Sequence, residues 1–421
     1  MQTTIRTLAT LTLGGLAWLS YLSPQPSIFI FFAIMALLAC VQYLVWRKGC
    51  GLGKREIILW ALAFRIPAWV GQPLYEDDFY RYLWDGREFA TTGNPYGKPP
   101  AEASEPPEPF RDILAHVNFP EIATIYGPVC QYTFAAAYAI KPGSVGALKF
   151  VYAIFDIATA LVLFRLAPSA LVLYLWSPLV IKEIAFTAHT DILAAFFSIA
   201  CLLAIRRDSP LWAGILCGLA AGSKVTAMLL IPLFLVEIAT SPRILRFGAT
   251  FAATVAALYL PFYRASESEG LAAFLGAWEF NSFAFAVLKE WVGFAPARNI
   301  CFAAAAGAII ALTVKALRHR ETPAYSQALG WFFLFSPVVN PWYLVLWLPF
   351  AALRAAPWSI VAMSTVLLSY ATGINLPGWG VDGFQHPWWV RPLELIPVLC
   401  AIAFLGDRGK ASSREEFGNQ P

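Results

Sequence analysis

Glu76, Asp77 and Asp78 stand together at the end of an apolar run, and Phe79-Tyr80-Arg81-Tyr82-Leu83-Trp84-Asp85-Gly86-Arg87 follow directly. Close carboxylates raise one another's pKa, and an acid held near neutrality suits general-base work. Helical spacing puts Asp78, then Arg81 or Tyr82, then Asp85 on one face. Charges at a membrane boundary are costly to keep there, so they read first as a site. The plain alternative for an acidic pair before a helix is an N-cap facing the helix dipole.

Other polar clusters interrupt apolar runs: Asn94-Pro95-Tyr96, Thr124-Ile125-Tyr126-Gly127-Pro128, His189-Thr190-Asp191, Trp278-Glu279-Phe280-Asn281-Ser282, Asn340-Pro341-Trp342-Tyr343, and Arg391 with Glu394. A His two residues from an Asp cannot be a helical i,i+4 metal pair; it fits a tight turn. Lys182-Glu183 reads as a structural ion pair near a span end. Lys224 follows a Gly222-Ser223 break, where an ammonium snorkels or meets an anion such as a lipid phosphate. Backbone N–H groups freed at that break favour an anion too. Ser336 to Tyr343 carries two prolines and reads as a helix break in an interfacial aromatic belt, to which Trp379, Trp388 and Trp389 also belong. The 7 cysteines are scattered singly, so neither a disulfide frame nor a metal site is expected.

The scaffold that must position these groups is apolar. Of 421 residues 59% are hydrophobic and only 13% charged, and the mean hydropathy is +0.61. Soluble domains carry roughly 25% charged residues. Continuous apolar runs, without the ~10-residue alternation of a barrel, predict an all-α polytopic membrane protein with about 11–14 spans. Basic residues gather in short loops: Arg47, Lys48, Lys54 and Arg55; Arg206 and Arg207; Arg243 and Arg246; Lys315, Arg318 and Arg320; Arg408 and Lys410. The positive-inside rule makes these loops cytoplasmic and the acidic and aromatic loops external. No basic stripe continues over one element, which argues against nucleic acid.

In order, spans are expected at 5–22, 28–46 and 56–73, the first read as a retained helix rather than a cleaved signal. Then comes the longest polar stretch, 74–147, rich in Pro and Gly. Within it Val129 to Ile140 is too short to span and suits an interfacial helix. Later spans follow from 149 to 406, with 211–240 broken near Ser223-Lys224. Residues 1–406 form one domain, with 74–147 its external catalytic loop and 407–421 a disordered cytoplasmic tail.

Together these pieces resemble the GT-C superfamily of integral-membrane glycosyltransferases. The nearest likeness is to the bacterial group of polyprenyl-phosphate-mannose-dependent mannosyltransferases and glycosyltransferase 87 (DUF2029-like) proteins. The resemblance rests on Asp77 to Arg87, Gly93-Asn94-Pro95-Tyr96, Thr124 to Pro128, His189-Thr190-Asp191, Gly218 to Lys224 and Ser336 to Tyr343, in that order, across residues 60–400. Gly127 stands where relatives often have Pro, and Asn340 where many have His.

The resemblance implies an inverting transferase of the bacterial inner (plasma) membrane with its site on the periplasmic face. A sugar, mannose by kinship, arrives on a polyprenyl phosphate and passes to a lipid or glycan hydroxyl. Asp77 is the implied base and Asp78 the second choice. Arg81 and Lys224 are implied for the donor phosphate, and His189 and Asp191 for orienting sugar or phosphate. Tyr82, Asp85, Tyr126, Asn340, Trp342 and Tyr343 complete the implied substrate contacts. No cofactor is required; a divalent metal is compatible. A flippase of lipid-linked sugars would favour internal repeats and charges near the midplane. An O-antigen-type polymerase or ligase would place its main polar loop late in the chain. Neither pattern is present.

Overall fold

The computed structural model describes residues 2–21, 26–48, 52–238, 240–263 and 278–405. The tail expected to be disordered lies outside the described residues. Among those described the fold is helical, with one isolated parallel bridge between Phe280 and Val338.

Helices α1 (Gln2–Tyr21), α2 (Ile28–Lys48) and α3 (Lys54–Val70) come first. The polar stretch carries α4 (Phe79–Thr92), α5 (Phe110–Ala115) and α6 (Pro128–Ile140), and α7 (Val145–Leu166) follows. Among the described residues four helices are long and apolar enough to cross a membrane: Ile28–Arg47, Val145–Leu166, Ser241–Phe262 and Phe294–His319. A fifth candidate, Pro168–Leu175 with Pro178–Phe186, is bent by 51°. Many of the other expected spans are short or interrupted helices, as at Pro210–Ser223 and Val225–Ile238, the predicted break near Lys224. At ~1.5 Å per residue such a segment covers about 20 Å, less than the ~30 Å hydrocarbon core. Large apolar side chains face outward on the long helices, among them Leu59, Leu161, Leu245 and Phe302. Lipid, unlike water, gives no reason to bury them.

Polar and small residues therefore knit the interior. Arg65 of α3 and Asp156 of α7 form a buried ion pair, Nε to Oδ2 2.6 Å. Tyr174 donates to the same carboxylate at 2.8 Å, and Arg65 also donates to the Leu175 carbonyl at 2.7 Å. Gln42 of α2 donates to the Leu173 carbonyl at 2.7 Å, and the Trp176 indole to the Ile57 carbonyl at 2.9 Å. The bent segment is thus gripped by three neighbours where it leaves regular helix. Helix α6 packs between α4 and α7, and a Cβ on Gly86 of α4 would meet the Phe134 carbonyl at 2.6 Å. Gly214, Gly218 and Gly222 recur every fourth residue in Pro210–Ser223. A Cβ on Gly214 or Gly218 would strike Thr250 or Thr254 of Ser241–Tyr259. Small residues at that spacing let helix backbones approach closely.

Candidate functional site

The loop from α3 to α4 carries the acids. Tyr75 takes φ 57°, the left-handed region. Its hydroxyl donates to the Pro26 carbonyl at 2.6 Å, and its ring packs on Phe31 and Tyr370 at 5.1 and 6.2 Å. These contacts hold a conformation that a bulky residue rarely adopts. Glu76 Oε1 then accepts the backbone N–H groups of Asp77 and Asp78, at 3.1 and 3.3 Å. Asp78 occupies the N-cap position of α4, yet its side chain makes no capping hydrogen bond. The plain N-cap reading therefore does not account for Asp78.

The two aspartates differ in exposure and in their partners. Asp77 is exposed and accepts from Asn118 Nδ2 at 2.5 Å. Asp78 is half-buried, in the field of Asp77, Asp191, Arg81 and Lys224. Burial first, then Asp77 and Asp191, push its carboxyl up to about 7. Glu76 is raised as well, by burial and then by Asp78. Ligand oxygens of Glu76, Asp77 and Asp78 lie within 4.8 Å of one another, the one group among the described residues spaced to hold a metal ion.

One turn along α4, Arg81 donates to Asp85 Oδ1 at 2.9 Å and to the Ile122 carbonyl at 3.0 Å. Asp85 is buried and also accepts from Thr124 at 2.5 Å and Gln131 at 3.2 Å. Its oxygens are thus engaged by the protein, and it fixes the aim of Arg81. The Tyr82 hydroxyl lies 3.1 Å from His189 Nδ1. The Tyr82 ring stacks on Phe134 at 4.9 Å and meets Tyr126 edge-on at 5.1 Å.

His189 is the hub. A π-helical turn over Ile181–Phe186 leads to Ala188 at φ 56°, and this wide turn carries His189 back beside Glu183. The imidazole stacks on Trp342, centroids 4.2 Å apart and 8° from parallel. Its Nε2 is buried, has no hydrogen-bond partner and lies 3.5 Å from Glu183 Oε2. Lys182 pairs with Glu183 at 3.4 Å, as expected of a structural ion pair. The Tyr370 hydroxyl accepts from Lys182 at 2.8 Å and donates to Glu183 at 3.0 Å. Sequence reasoning assigned no site role to Lys182 or Glu183 and missed Tyr370. Two charges set inside an apolar run were the available signal for the first two; nothing local marks Tyr370.

Asp191 opens helix Asp191–Arg206 and pairs with Lys224, whose Nζ stands 3.2 Å over the Tyr343 ring. Lys224 thus already has an anion, a carboxylate of the chain itself. Trp342 and Tyr343 are presented by a short 3-10 helix, Pro341–Val345, that starts at Asn340. The turn before it is pinned: Phe280 N–H donates to the Pro337 carbonyl at 3.1 Å, and Val339 N–H to the Phe280 carbonyl at 2.8 Å. Residues from 76–85, 126, 182–191, 224, 340–343 and 370 therefore adjoin one partly buried polar centre walled by aromatic rings. Such a centre combines a tunable carboxylate with fixed cations and aromatic faces, a set that suits a neutral polyol beside an anion.

The family model for the N-terminal domain of alpha-(1->6)-mannopyranosyltransferases matches residues 5–240. Comparisons with curated proteins and with solved structures return no match.

Proposed function

Given that the chain belongs to the alpha-(1->6)-mannopyranosyltransferase family, we propose that it moves mannose from a polyprenyl-phosphate donor to a lipid or glycan hydroxyl. The reaction takes place on the external face of the bacterial inner membrane, in a GT-C-type scaffold. The acceptor oxygen attacks the anomeric carbon from the face opposite the phosphate. The C1–O bond to phosphate breaks, the configuration inverts, and polyprenyl phosphate leaves. The hydroxyl proton goes to a first-loop carboxylate.

We assign that proton to Asp78 rather than to Asp77, which the family resemblance favours. Asp77 is exposed and held by Asn118, whereas Asp78 is half-buried in the field of Arg81 and Lys224. The observation that carries the reading is an Asp78 carboxyl half-buried beside two cations and unused as a cap. Arg81 and Lys224 stabilise the departing phosphate, with Lys224 exchanging Asp191 for it. Trp342, Tyr343 and Tyr126 offer ring faces to the sugar, and Tyr82, His189 and Asn340 polar atoms. Asp191 and Asp85 hold the cations in place.

The test is transfer of radiolabelled mannose from polyprenyl-phosphate-mannose in membranes with matched expression of wild type, Asp77→Asn and Asp78→Asn. Wild-type transfer that falls ~10²–10⁴-fold in Asp78→Asn supports the assignment. A larger fall in Asp77→Asn moves the base to Asp77. No transfer from this donor or its arabinose and glucose counterparts overturns the reading and favours a lipid-linked sugar flippase.

A further inference from the structure

Beside the acidic corner lies a second cavity, of about 540 Å³, formed by the segments 279–289 and 384–391. Its volume is in the ~300–1,000 Å³ range of small-molecule sites. A run of aromatic contacts joins it to the first. Asn118 binds Asp77, and next to it Phe119 meets Trp278 at 5.6 Å. Trp278 meets Phe384 at 5.5 Å, and Phe384 lines the cavity.

The wall is built rather than loose. Gly373 and Ile374 N–H donate to the Gln385 and Gly383 carbonyls at 3.2 and 3.1 Å. His386 Nε2 is 3.0 Å from the Ser369 carbonyl, and its ring packs on Phe280 at 4.9 Å. Phe384 and Trp388 nevertheless stay open, the indole 86% exposed. Asn281 is 1% exposed, and its Oδ1 has no hydrogen-bond partner in the structure. Arg391 also lines the cavity, and among the described residues it forms no ion pair.

We propose that this cavity binds pyranose units of the acceptor glycan. Aromatic faces carry negative charge and attract the weakly positive C–H groups on the flat side of a sugar ring. Sugar hydroxyls donate to the Gln385 amide oxygen and accept from the Gln385 amide nitrogen and the Arg391 guanidinium. Lys289 on the same wall is already paired with Glu279, and open rings beside amide, guanidinium and paired charges suit a neutral polyol better than a lipid tail. The assignment rests on the glycosyl-transfer reading and adds to it an acceptor subsite outside the reacting centre.

The experiment is equilibrium binding of tritiated alpha-1,6-mannotetraose to the full chain in lipid nanodiscs, with no donor present. Expected is saturable binding that weakens about tenfold in Trp388→Ala and in Gln385→Ala. The control Trp379→Ala, in the same loop but off the cavity wall, binds as wild type does. No saturable binding to wild type, or wild-type affinity in both cavity variants, overturns the proposal. Transfer of mannose to octyl alpha-mannoside, whose single ring reaches the reacting centre without this cavity, is measured in parallel. Asp78-dependent transfer without tetrasaccharide binding removes the subsite and leaves the enzyme reading intact. Binding without any transfer does the reverse.

Discussion

The Arg65–Asp156 pair offers a quantitative test of how the interior is held. Both residues are almost fully buried, at 2% and 1% exposure. The carboxylate accepts from Arg65 Nε at 2.6 Å, from Nη2 at 3.3 Å and from Tyr174 at 2.8 Å. Asp156→Asn keeps the volume and removes the charge, leaving the guanidinium with the Ala61 and Leu175 carbonyls at 3.1 and 2.7 Å. Breaking one half of a buried pair costs about 3–5 kcal/mol. The two carbonyls and the remaining amide oxygen place this site near the low end, about 3 kcal/mol. Replacing the whole set, Arg65→Met with Asp156→Leu and Tyr174→Phe, removes the orphaned charge and should come within about 2 kcal/mol of wild type. The assay is reversible unfolding of the purified protein in mixed micelles, followed by tryptophan fluorescence as denaturing detergent rises. A cost under about 1 kcal/mol for Asp156→Asn refutes the reasoning, as does a triple variant less stable than the single.

Transfer should depend on pH through Asp78. A base must be ionised, so activity rises with pH through about 7; from pH 6 to 8 the ionised fraction, and with it kcat/KM, grows about tenfold. A flat profile over that range contradicts this. Gly127→Ala would set a Cβ 2.2 Å from the Gly222 carbonyl; the strain should lower stability by about 1–3 kcal/mol, read by unfolding in the same micelles. Tyr370→Phe keeps the ring 4.0 Å from Lys182 but deletes the hydroxyl shared with Glu183. It should cost about 1–3 kcal/mol, and wild-type stability would show that the hydroxyl is not needed.

Much of this arrangement was legible before any coordinates. Runs of apolar residues located the long helices, and Gly222-Ser223-Lys224 marked a true break. The spacing of Asp78, Arg81, Tyr82 and Asp85 read as one helix, and α4 carries all but its cap residue. Local pattern could not show which charge meets which. That Lys224 pairs with Asp191, 33 positions away, was not readable from its own surroundings in the chain. Nor does composition reveal a π turn, because its extra residue is set by what packs around it. Val129 to Ile140 read as a short helix of its own, but its close packing on α4 through Gly86 was not legible from local pattern. Tyr370 joins the centre from 187 residues beyond Glu183, a meeting that only the assembled fold specifies.

The stacking of His189 between early and late parts of the chain has a consequence for biogenesis. Tyr82 reaches the imidazole from one side and Trp342 covers it from another, while Tyr370 closes the Glu183 corner. During synthesis the acids and Tyr82 emerge first, and Trp342 and Tyr370 follow only after most of the polypeptide has been made. A nascent chain halted before residue 341 holds His189 and Lys224 without the Trp342 and Tyr343 rings that cover them. Its centre is completed only when the last fifth of the chain, from Pro341 on, arrives.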